Sequence, residues 1–147
     1  MRILVINGPN LNTLGTRDKN HYGNLTLNKI ETMLVNEFKD IHFTFVQSNS
    51  EGEIIDIIQK AGASFIGLII NPGGYAHTSV AIKDALEDCK IIKIEVHLSH
   101  LAKRENFRQN LVTASSCDGY ISGFKEKSYM AAVFLILKLF KKSDKND

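Results

Sequence analysis

The chain has 147 residues, of which 44% are hydrophobic and 23% charged, and its net charge is +2. These are ordinary values for a globular protein, and the length suffices for one domain that buries roughly two thirds of its unfolded surface. The weak charge, with no basic stripe interleaved with aromatic residues, excludes a typical nucleic-acid-binding protein. Cys89 and Cys117 lack metal-site spacing, which favours reduced thiols in a cytoplasmic protein.

The sequence predicts neither a signal peptide nor a membrane segment. A strand pattern already starts at Arg2, and the longest apolar run, residues 129–140, is interrupted by Lys138. That run is also too short to span a bilayer. We therefore expect a cytoplasmic protein with no membrane partner.

The first predicted element is a strand with an unusual continuation. Residues 3–6 are β-branched or leucine throughout, which is typical of a strand buried on both faces. A long, mostly polar loop follows, and compact domains rarely contain such a loop without a functional reason. The loop carries Asn10, Arg17 and Tyr22. This is where we expect the chemistry.

A helix, a strand and a second helix follow this loop. Apolar residues recur at helical spacing over residues 27–38, with Thr26 as the expected N-cap. Residues 41–46 are aromatic and β-branched, which predicts the second strand. Ser50 and a glutamate three residues later have the spacing of a capping box, so we expect a helix there that ends near Gly62.

The middle of the chain repeats the same alternation. Residues 65–70 form a wholly apolar third strand, which the sequence NPGG at 71–74 ends. A helix is predicted over residues 79–89, and a fourth strand over residues 91–96.

The last third contains the closing elements. A polar segment at 99–107 predicts a short helix, residues 119–124 a weaker fifth strand, and residues 128–142 the final helix. We expect a single domain over residues 1–142 and a disordered tail at 143–147.

Alternating strands and helices of these lengths predict an α/β fold: a three-layer, doubly wound, flavodoxin-like domain with a five-stranded parallel sheet. Ligands bind such sheets beyond the carboxyl ends of the strands. Polar residues follow three strands at that edge: Asn10, Arg17 and Tyr22 after the first, Asn71 and His77 after the third, and His97 and Ser99 after the fourth. Their convergence predicts an active site.

Motifs for metals and nucleotides are missing from the sequence. It has no metal-ligand pair, no Walker A loop, no GxGxxG after the first strand and no GxSxG elbow. Pro9 also removes a backbone donor where a nucleotide-binding loop would need one. We therefore expect no metal and no cofactor, which leaves acid–base chemistry.

Glu95 and His97 lie two residues apart at the end of a strand, so their side chains leave on the same face. A carboxylate beside an imidazole fixes its tautomer and favours its protonated form, which makes it a proton donor. Taken alone, this pair is interpreted equally well as a buried structural histidine for which Glu95 is only the hydrogen-bond partner.

Tyr22 is a poor base at the reference tyrosine pKa of about 10, so a cation must favour its phenolate. Arg17, five residues earlier, would supply that charge. A tyrosine packed under its loop beside a solvated arginine is the commoner arrangement. The convergence of several such groups on one edge favours a site over a set of separate structural features.

Several separate stretches, in order, also carry a family resemblance: ILVINGPNLNTLGTRDKNHYG, QSNSEGEIID, LIINPGGYAHTSVAIKDAL, IEVHLSHLAKRENFR and GYISGF. Over essentially its whole length the chain resembles the type II 3-dehydroquinate dehydratases, also called type II dehydroquinases. The resemblance implies a flavodoxin-like fold and a cofactor-free, reversible anti dehydration of 3-dehydroquinate to 3-dehydroshikimate through an enolate. The pathway would be aromatic amino-acid biosynthesis through shikimate, or quinate catabolism.

The resemblance also implies catalytic roles. Tyr22 would remove the proton next to the substrate ketone, and Arg17, on a mobile lid, would hold it as a phenolate. Asn10 would position a water that stabilises the enolate. His97, oriented by Glu95, would protonate the departing hydroxyl.

Substrate-binding roles follow from the same resemblance. Asn71, His77 and Arg108 would bind the substrate hydroxyls, and Leu98 and Ser99 would take its carboxylate. Lys125 stands where the family commonly has a glycine.

The family assembles as homododecamers built from trimers, and this implies a role for Asp84 in a neighbouring subunit's site. The last predicted helix supports association independently. Phe134, Leu135 and Leu139 are apolar on its outer face, where a surface helix would normally be polar.

A binding module from another class is the alternative. The fold class and the glycine pair Gly73–Gly74 before a helix would suit FMN or a phosphate. A yellow purified protein would favour this alternative.

Overall fold

The computed structural model describes residues 1–16 and 23–143. Its centre is a five-stranded, all-parallel sheet with the order β2-β1-β3-β4-β5. The strands are β1 (Arg2–Asn7), β2 (His42–Gln47), β3 (Gly67–Asn71), β4 (Ile92–His97) and β5 (Gly119–Ser122). The helices are α1 (Leu27–Glu37), α2 (Glu51–Ala61), α3 (Val80–Asp88) and α4 (Lys127–Ser143). The predicted three-layer, five-stranded α/β fold is confirmed.

Each face of the sheet has its own hydrophobic core. Successive residues of a strand point to opposite faces, so Ile3 and Val5 of β1 pack with α1 and α4, while Leu4 and Ile6 pack with α2 and α3. This is why the buried strands carry near-continuous apolar runs. Both faces are covered, and a ligand can therefore reach the sheet only at its ends.

Two glycines allow close approaches that shape the domain. A Cβ at Gly67 would lie 2.5 Å from the Ile136 side chain, so this glycine lets α4 pack directly onto β3. A Cβ at Gly8 would lie 2.6 Å from the Pro72 carbonyl oxygen. The Gly8 N–H donates to the Asn71 carbonyl at 2.7 Å, which joins the segments that follow β1 and β3.

The predicted helix starts are confirmed by their caps. The Thr26 hydroxyl accepts from the Lys29 N–H at 3.2 Å, and the Ser50 hydroxyl from the Glu53 N–H at 3.3 Å. A capping box also requires a hydrogen bond from the Ser50 N–H to the Glu53 side chain, and this part of the prediction is wrong. The Glu53 carboxylate accepts from the Ser48 hydroxyl, and the Ser50 N–H donates to Ser48 Oγ at 3.0 Å.

The segment between β4 and β5 differs from the prediction. In place of one short helix it forms two 3-10 helices, Leu101–Lys103 and Asn106–Gln109, because polar side chains bond locally there. Lys125 has a φ of 50°, in the left-handed region that favours glycine, and its N–H donates to the Leu98 carbonyl at 3.0 Å.

Two other predictions concern the chain ends and membranes. Helix α4 extends through Ser143, and residues 144–147 of the predicted tail lie outside the described residues. Within the described ranges, none of the helices has both the length and the apolar character needed to cross a bilayer.

Candidate active site

A pocket opens at the carboxyl ends of the central strands β1, β3 and β4, where the strand order reverses. Its lining includes six residues that the sequence predicted for the site: Asn10, His77, His97, Leu98, Ser99 and Arg108. The other described residues of the lining are Pro9, Leu11, Gly73, Gly74, Leu101 and Arg104. Segments far apart in the chain therefore meet at one edge of the sheet.

His97 is the last residue of β4, and a buried carboxylate holds its ring. His97 Nε2 lies 2.7 Å from Glu95 Oε1, and Glu95 is fully buried. The other carboxylate oxygen, Oε2, accepts from the Thr113 hydroxyl at 2.6 Å. A carboxylate can only accept, so His97 Nε2 carries a proton and Nδ1 is left for the pocket. We call Thr113, Glu95 and His97 the histidine network.

His77 lies beside His97 at the end of the 3-10 helix Gly73–His77. The two rings are stacked, with centroids 6.2 Å apart and planes at 25°. His77 Nδ1 donates to the Asn110 carbonyl at 2.9 Å, which leaves Nε2 as an acceptor. Burial lowers the pKa of His77, against a smaller opposing effect of the Asn110 hydrogen bond. The ring is therefore neutral near pH 7 and can accept a hydrogen bond through Nε2.

Two arginines bring positive charge to the pocket. Arg104 Nη1 donates to Ser99 Oγ at 3.2 Å, and Arg108 Nε donates to the Glu105 carboxylate at 2.8 Å. Arg104 Nε lies 3.6 Å from the same carboxylate. The Glu105 backbone N–H and then Arg108 lower the pKa of Glu105. The Arg104 guanidinium next to Ser99 suits an anionic substrate group such as a carboxylate.

Asn10 lies at a sharp turn directly after Pro9. Its φ is 68°, a left-handed conformation that asparagine tolerates better than most residues. The Asn10 N–H donates to Asn49 Oδ1 at 3.0 Å, and the Asn10 carbonyl accepts from the Thr13 hydroxyl at 2.7 Å. These bonds fix the turn at the edge of the pocket.

Asn71 is the last residue of β3 and is not among the lining residues of the pocket. Its Nδ2 donates to Tyr129 Oη at 3.1 Å, and its Oδ1 accepts from the Gly73 N–H at 3.2 Å. Tyr129 Oη in turn donates to Asn7 Oδ1 at 2.6 Å. Burial raises the pKa of Tyr129, so this hydroxyl stays protonated. We call Asn7, Tyr129 and Asn71 the tyrosine network, and it fixes the turn at Gly73.

The sequence profile of a family described as dehydroquinase class II matches residues 1–137 of this chain. The chain belongs to the class II dehydroquinase family.

Relatives in this family match nearly the whole chain. The 3-dehydroquinate dehydratase of Carboxydothermus hydrogenoformans is 45% identical over 146 residues, covering 98% of this chain and 95% of that protein. The 3-dehydroquinate dehydratase of Thermotoga neapolitana is 46% identical over 147 residues, covering 99% of this chain and 100% of that protein.

Solved structures of type II dehydroquinases have the same fold. The enzyme from Butyrivibrio crossotus superposes with a TM-score of 0.90 at 47% identity, covering 92% of this chain and 97% of that one. The enzyme from Propionibacterium acnes gives a TM-score of 0.86 at 34% identity, covering 92% of this chain and 96% of that one.

The remaining predicted site residues of this class II dehydroquinase chain are Asp84, Arg17 and Tyr22. Asp84 is on α3 and outside the pocket lining, with its side chain 67% exposed and its carboxylate 4.0 Å from Lys83 Nζ. Arg17 and Tyr22 lie outside the described residues. In the part of the chain that is described, no three His, Cys, Asp or Glu side chains form a group that would hold a metal ion.

Four polar residues of the pocket and its two networks were missed by the sequence analysis: Asn7, Arg104, Thr113 and Tyr129. Arg104 had a signal, because it lies four residues before Arg108 in the same polar segment. Tyr129 had a weaker one, since a buried tyrosine hydroxyl in an apolar helix needs a partner. Thr113 had none, because it lies 18 residues from Glu95 in an unremarkable loop.

Proposed function

We propose that this chain catalyses the dehydration of 3-dehydroquinate to 3-dehydroshikimate. Membership of the class II dehydroquinase family and the naming of its relatives as 3-dehydroquinate dehydratases support this activity. The observation that carries the proposal is His97 at the pocket, held through Nε2 by the buried carboxylate of Glu95.

His97 is the proposed general acid. In the elimination a base takes a proton from the carbon next to the ketone, and the hydroxyl on the following carbon leaves as water. The new double bond is conjugated with the ketone. Because Glu95 occupies Nε2, the proton for the leaving hydroxyl comes from Nδ1 of protonated His97. Glu95 stabilises the imidazolium before transfer and holds the ring afterwards.

The base and the enolate contacts are proposed from the family resemblance. Tyr22 acts as the base in its phenolate form, and Arg17 favours that form as a neighbouring cation. Asn10 positions a water at the enolate oxygen. The place of Asn10 in the pocket lining, at its fixed left-handed turn, supports this last role.

Substrate binding uses the residues around the histidines. His77 accepts a hydrogen bond from a substrate hydroxyl through Nε2, since its Nδ1 proton is committed to the Asn110 carbonyl. Arg108 and Asn71 are the other proposed hydroxyl contacts. Leu98 and Ser99 bind the substrate carboxylate, and the contact of Arg104 with Ser99 supports an anion at that place.

The activity is tested by mixing purified protein with 3-dehydroquinate and following the ultraviolet absorbance of the conjugated enone product. We expect turnover that survives both EDTA and borohydride, because the proposed mechanism uses neither a metal nor an imine-forming lysine. The absence of signal above background at micromolar enzyme would refute the proposed function.

The proposed base is tested by Tyr22→Phe, which removes the phenolic oxygen and keeps the ring. Turnover should fall by about a hundredfold to ten-thousandfold, the usual range for the loss of a general base or acid. A nearly normal turnover number would remove Tyr22 from this role.

We also propose that the chain assembles as a homododecamer built from trimers and that Asp84 reaches a neighbouring subunit's site. The exposed apolar residues Phe134, Leu135 and Leu139 on α4 support self-association, because they are 55%, 40% and 42% exposed in a single chain. Sedimentation velocity should give a dodecamer, and Phe134→Glu should produce smaller species. A monomer at micromolar concentration would contradict the assembly.

The cellular role is proposed with the activity. We place the protein in the cytoplasm, acting through a single catalytic domain at residues 1–142 in aromatic amino-acid biosynthesis or quinate catabolism. Disrupting its gene should cause a requirement for aromatic amino acids if the role is biosynthetic, and loss of growth on quinate if it is catabolic.

A further inference from the structure

We propose that Thr113 is a positioning residue that sets the orientation of His97 through Glu95. This inference rests on the proposed function, because it concerns the acid step of the same reaction. The observation behind it is the hydrogen bond from the fully buried Thr113 hydroxyl to Glu95 Oε2, opposite the oxygen that holds His97.

The bond has the geometry of a strong, charge-assisted interaction. Its 2.6 Å length lies in the range of roughly 2.5–2.7 Å that is typical of a hydroxyl donating to a carboxylate. With His97 on one oxygen and Thr113 on the other, both oxygens of the buried Glu95 side chain have a donor. A carboxylate buried with one oxygen unpaired would be costly, and its plane would be free to turn.

Thr113 is itself fixed to the wall of the pocket. The N–H groups of Val112 and Thr113 both donate to the Ala76 carbonyl, at 2.8 and 3.3 Å. Ala76 precedes His77 in the 3-10 helix that lines the pocket. The position of the Thr113 hydroxyl is thus tied to the same segment that places His77 beside His97.

The consequence concerns which histidine nitrogen faces the substrate. Glu95 holds the proton on His97 Nε2 only while its carboxylate is aimed at the ring, and the Thr113 hydroxyl bonded to Oε2 fixes that aim. Without that hydroxyl the plane of the carboxylate is free to turn away from the ring. His97 Nδ1 is then held less well for donating to the leaving hydroxyl, while substrate binding at the pocket surface is little altered.

The test compares Thr113→Val with Thr113→Ser. Valine keeps the branched shape and removes the hydroxyl, whereas serine keeps the hydroxyl and serves as the matched control. We expect Thr113→Val to lower kcat by about tenfold to a hundredfold, the effect of losing one hydrogen bond to a charged group, with KM within about twofold. Thr113→Ser should keep kcat within about threefold of wild type.

A second measurement separates the acid step from general damage. In D2O the base exchanges the proton next to the ketone without needing the acid, so deuterium enters recovered 3-dehydroquinate through the reversibly formed enolate. We expect Thr113→Val to lower elimination relative to exchange, in the same direction as His97→Asn. A structural fault that disturbs the whole site would lower both rates together.

Each outcome decides the proposal. Wild-type kcat in folded Thr113→Val, or equal losses of exchange and elimination, would overturn it. If the valine variant does not fold, Thr113→Ala is measured in the same way. Failure of both to fold beside an active Thr113→Ser would assign the hydroxyl to stability and also overturn it. A wild-type protein without dehydratase activity would instead refute the proposed function.

Discussion

Two buried hydrogen-bond networks lead to the candidate active site, and they are built from different kinds of group. The histidine network joins Thr113, Glu95 and His97 and contains a carboxylate and an imidazole. The tyrosine network joins Asn7, Tyr129 and Asn71 and contains only neutral groups. Both are almost completely buried, and both end at segments that line the same pocket.

The difference shows that separate networks control the position of a proton and the shape of the pocket. A buried carboxylate is costly, so the protein gives it two donors and uses its charge to control where a proton lies. Neutral amide and hydroxyl groups control shape alone, and the tyrosine network anchors the turn at Gly73 through Asn71 Oδ1. No buried side-chain nitrogen or oxygen in the described part of the chain lacks a hydrogen-bond partner. Both networks are therefore rigid supports.

The largest effect is expected where the histidine network meets the substrate. His97→Asn should lower kcat by about a hundredfold to ten-thousandfold, because it removes the proposed proton donor. KM should change much less, since the proposed substrate contacts are made by other residues. Steady-state kinetics with the enone assay measure this, and a circular dichroism spectrum like that of wild type shows that the variant is folded. A kcat near the wild-type value would place the acid elsewhere.

The tyrosine network should show the opposite balance, with stability affected more than turnover. Tyr129→Phe leaves Asn7 Oδ1 and Asn71 Nδ2 buried without their partner, so the free energy of unfolding should fall by about 2–4 kcal/mol. KM should rise about threefold to tenfold as Asn71 and the Gly73 turn loosen, while kcat stays within a few fold.

Urea unfolding and steady-state kinetics measure these two effects. Tyr120→Phe is the matched control, because Tyr120 is 55% exposed and the same change there should alter neither stability nor KM. If Tyr129→Phe lowered kcat as much as His97→Asn does, the division between a proton-holding and a shape-holding network would be wrong.

The smallest effect concerns His77, whose ring stacks on His97 of the histidine network. Burial lowers its pKa in the folded protein, so between that value and the reference pKa of about 6.5 the unfolded chain binds more protons. Protonation thus favours unfolding, and the contribution of His77 to stability should decrease as the pH falls through this window. Above about pH 7 the contribution should be constant.

His77→Gln removes this titration and keeps a polar side chain. The difference in unfolding free energy between wild type and His77→Gln, measured from pH 5 to pH 8, should shift against the wild type as the pH falls. A difference independent of pH would show that His77 is not held neutral by burial.

Much of the fold was predictable because its signals are local. Apolar runs of β-branched residues gave the strands, and the spacing of apolar residues gave the helices. The Thr26 and Ser50 caps were identified because an N-cap hydroxyl bonds an N–H only three residues later in the chain. The meeting of Asn10, His77 and His97 at one edge followed from the parallel topology alone.

Local signals failed where a polar group could form a hydrogen bond with more than one partner a few residues away. The capping-box pattern predicted that the Ser50 N–H donates to the Glu53 carboxylate. In the structure the Ser48 hydroxyl donates to that carboxylate, and the Ser50 N–H donates to Ser48 Oγ. Residues 99–107, predicted as one helix, formed short 3-10 turns tied together by Gln109, whose side chain donates to the Leu101 carbonyl at 2.7 Å. These choices differ by little free energy, so packing decides among them.

By itself the sequence determined the sheet, its covering helices and the edge at which polar residues gather. Hydrophobic periodicity and the order of the elements along the chain are enough to predict these features. Only the tertiary structure decided which of those residues line the pocket and which support them. Tyr129 meets Asn7 across 122 positions of sequence, because α4 packs against the sheet where Gly67 leaves room. That packing joined Asn71 to Tyr129, and the return of the chain past Ala76 brought Thr113 to Glu95.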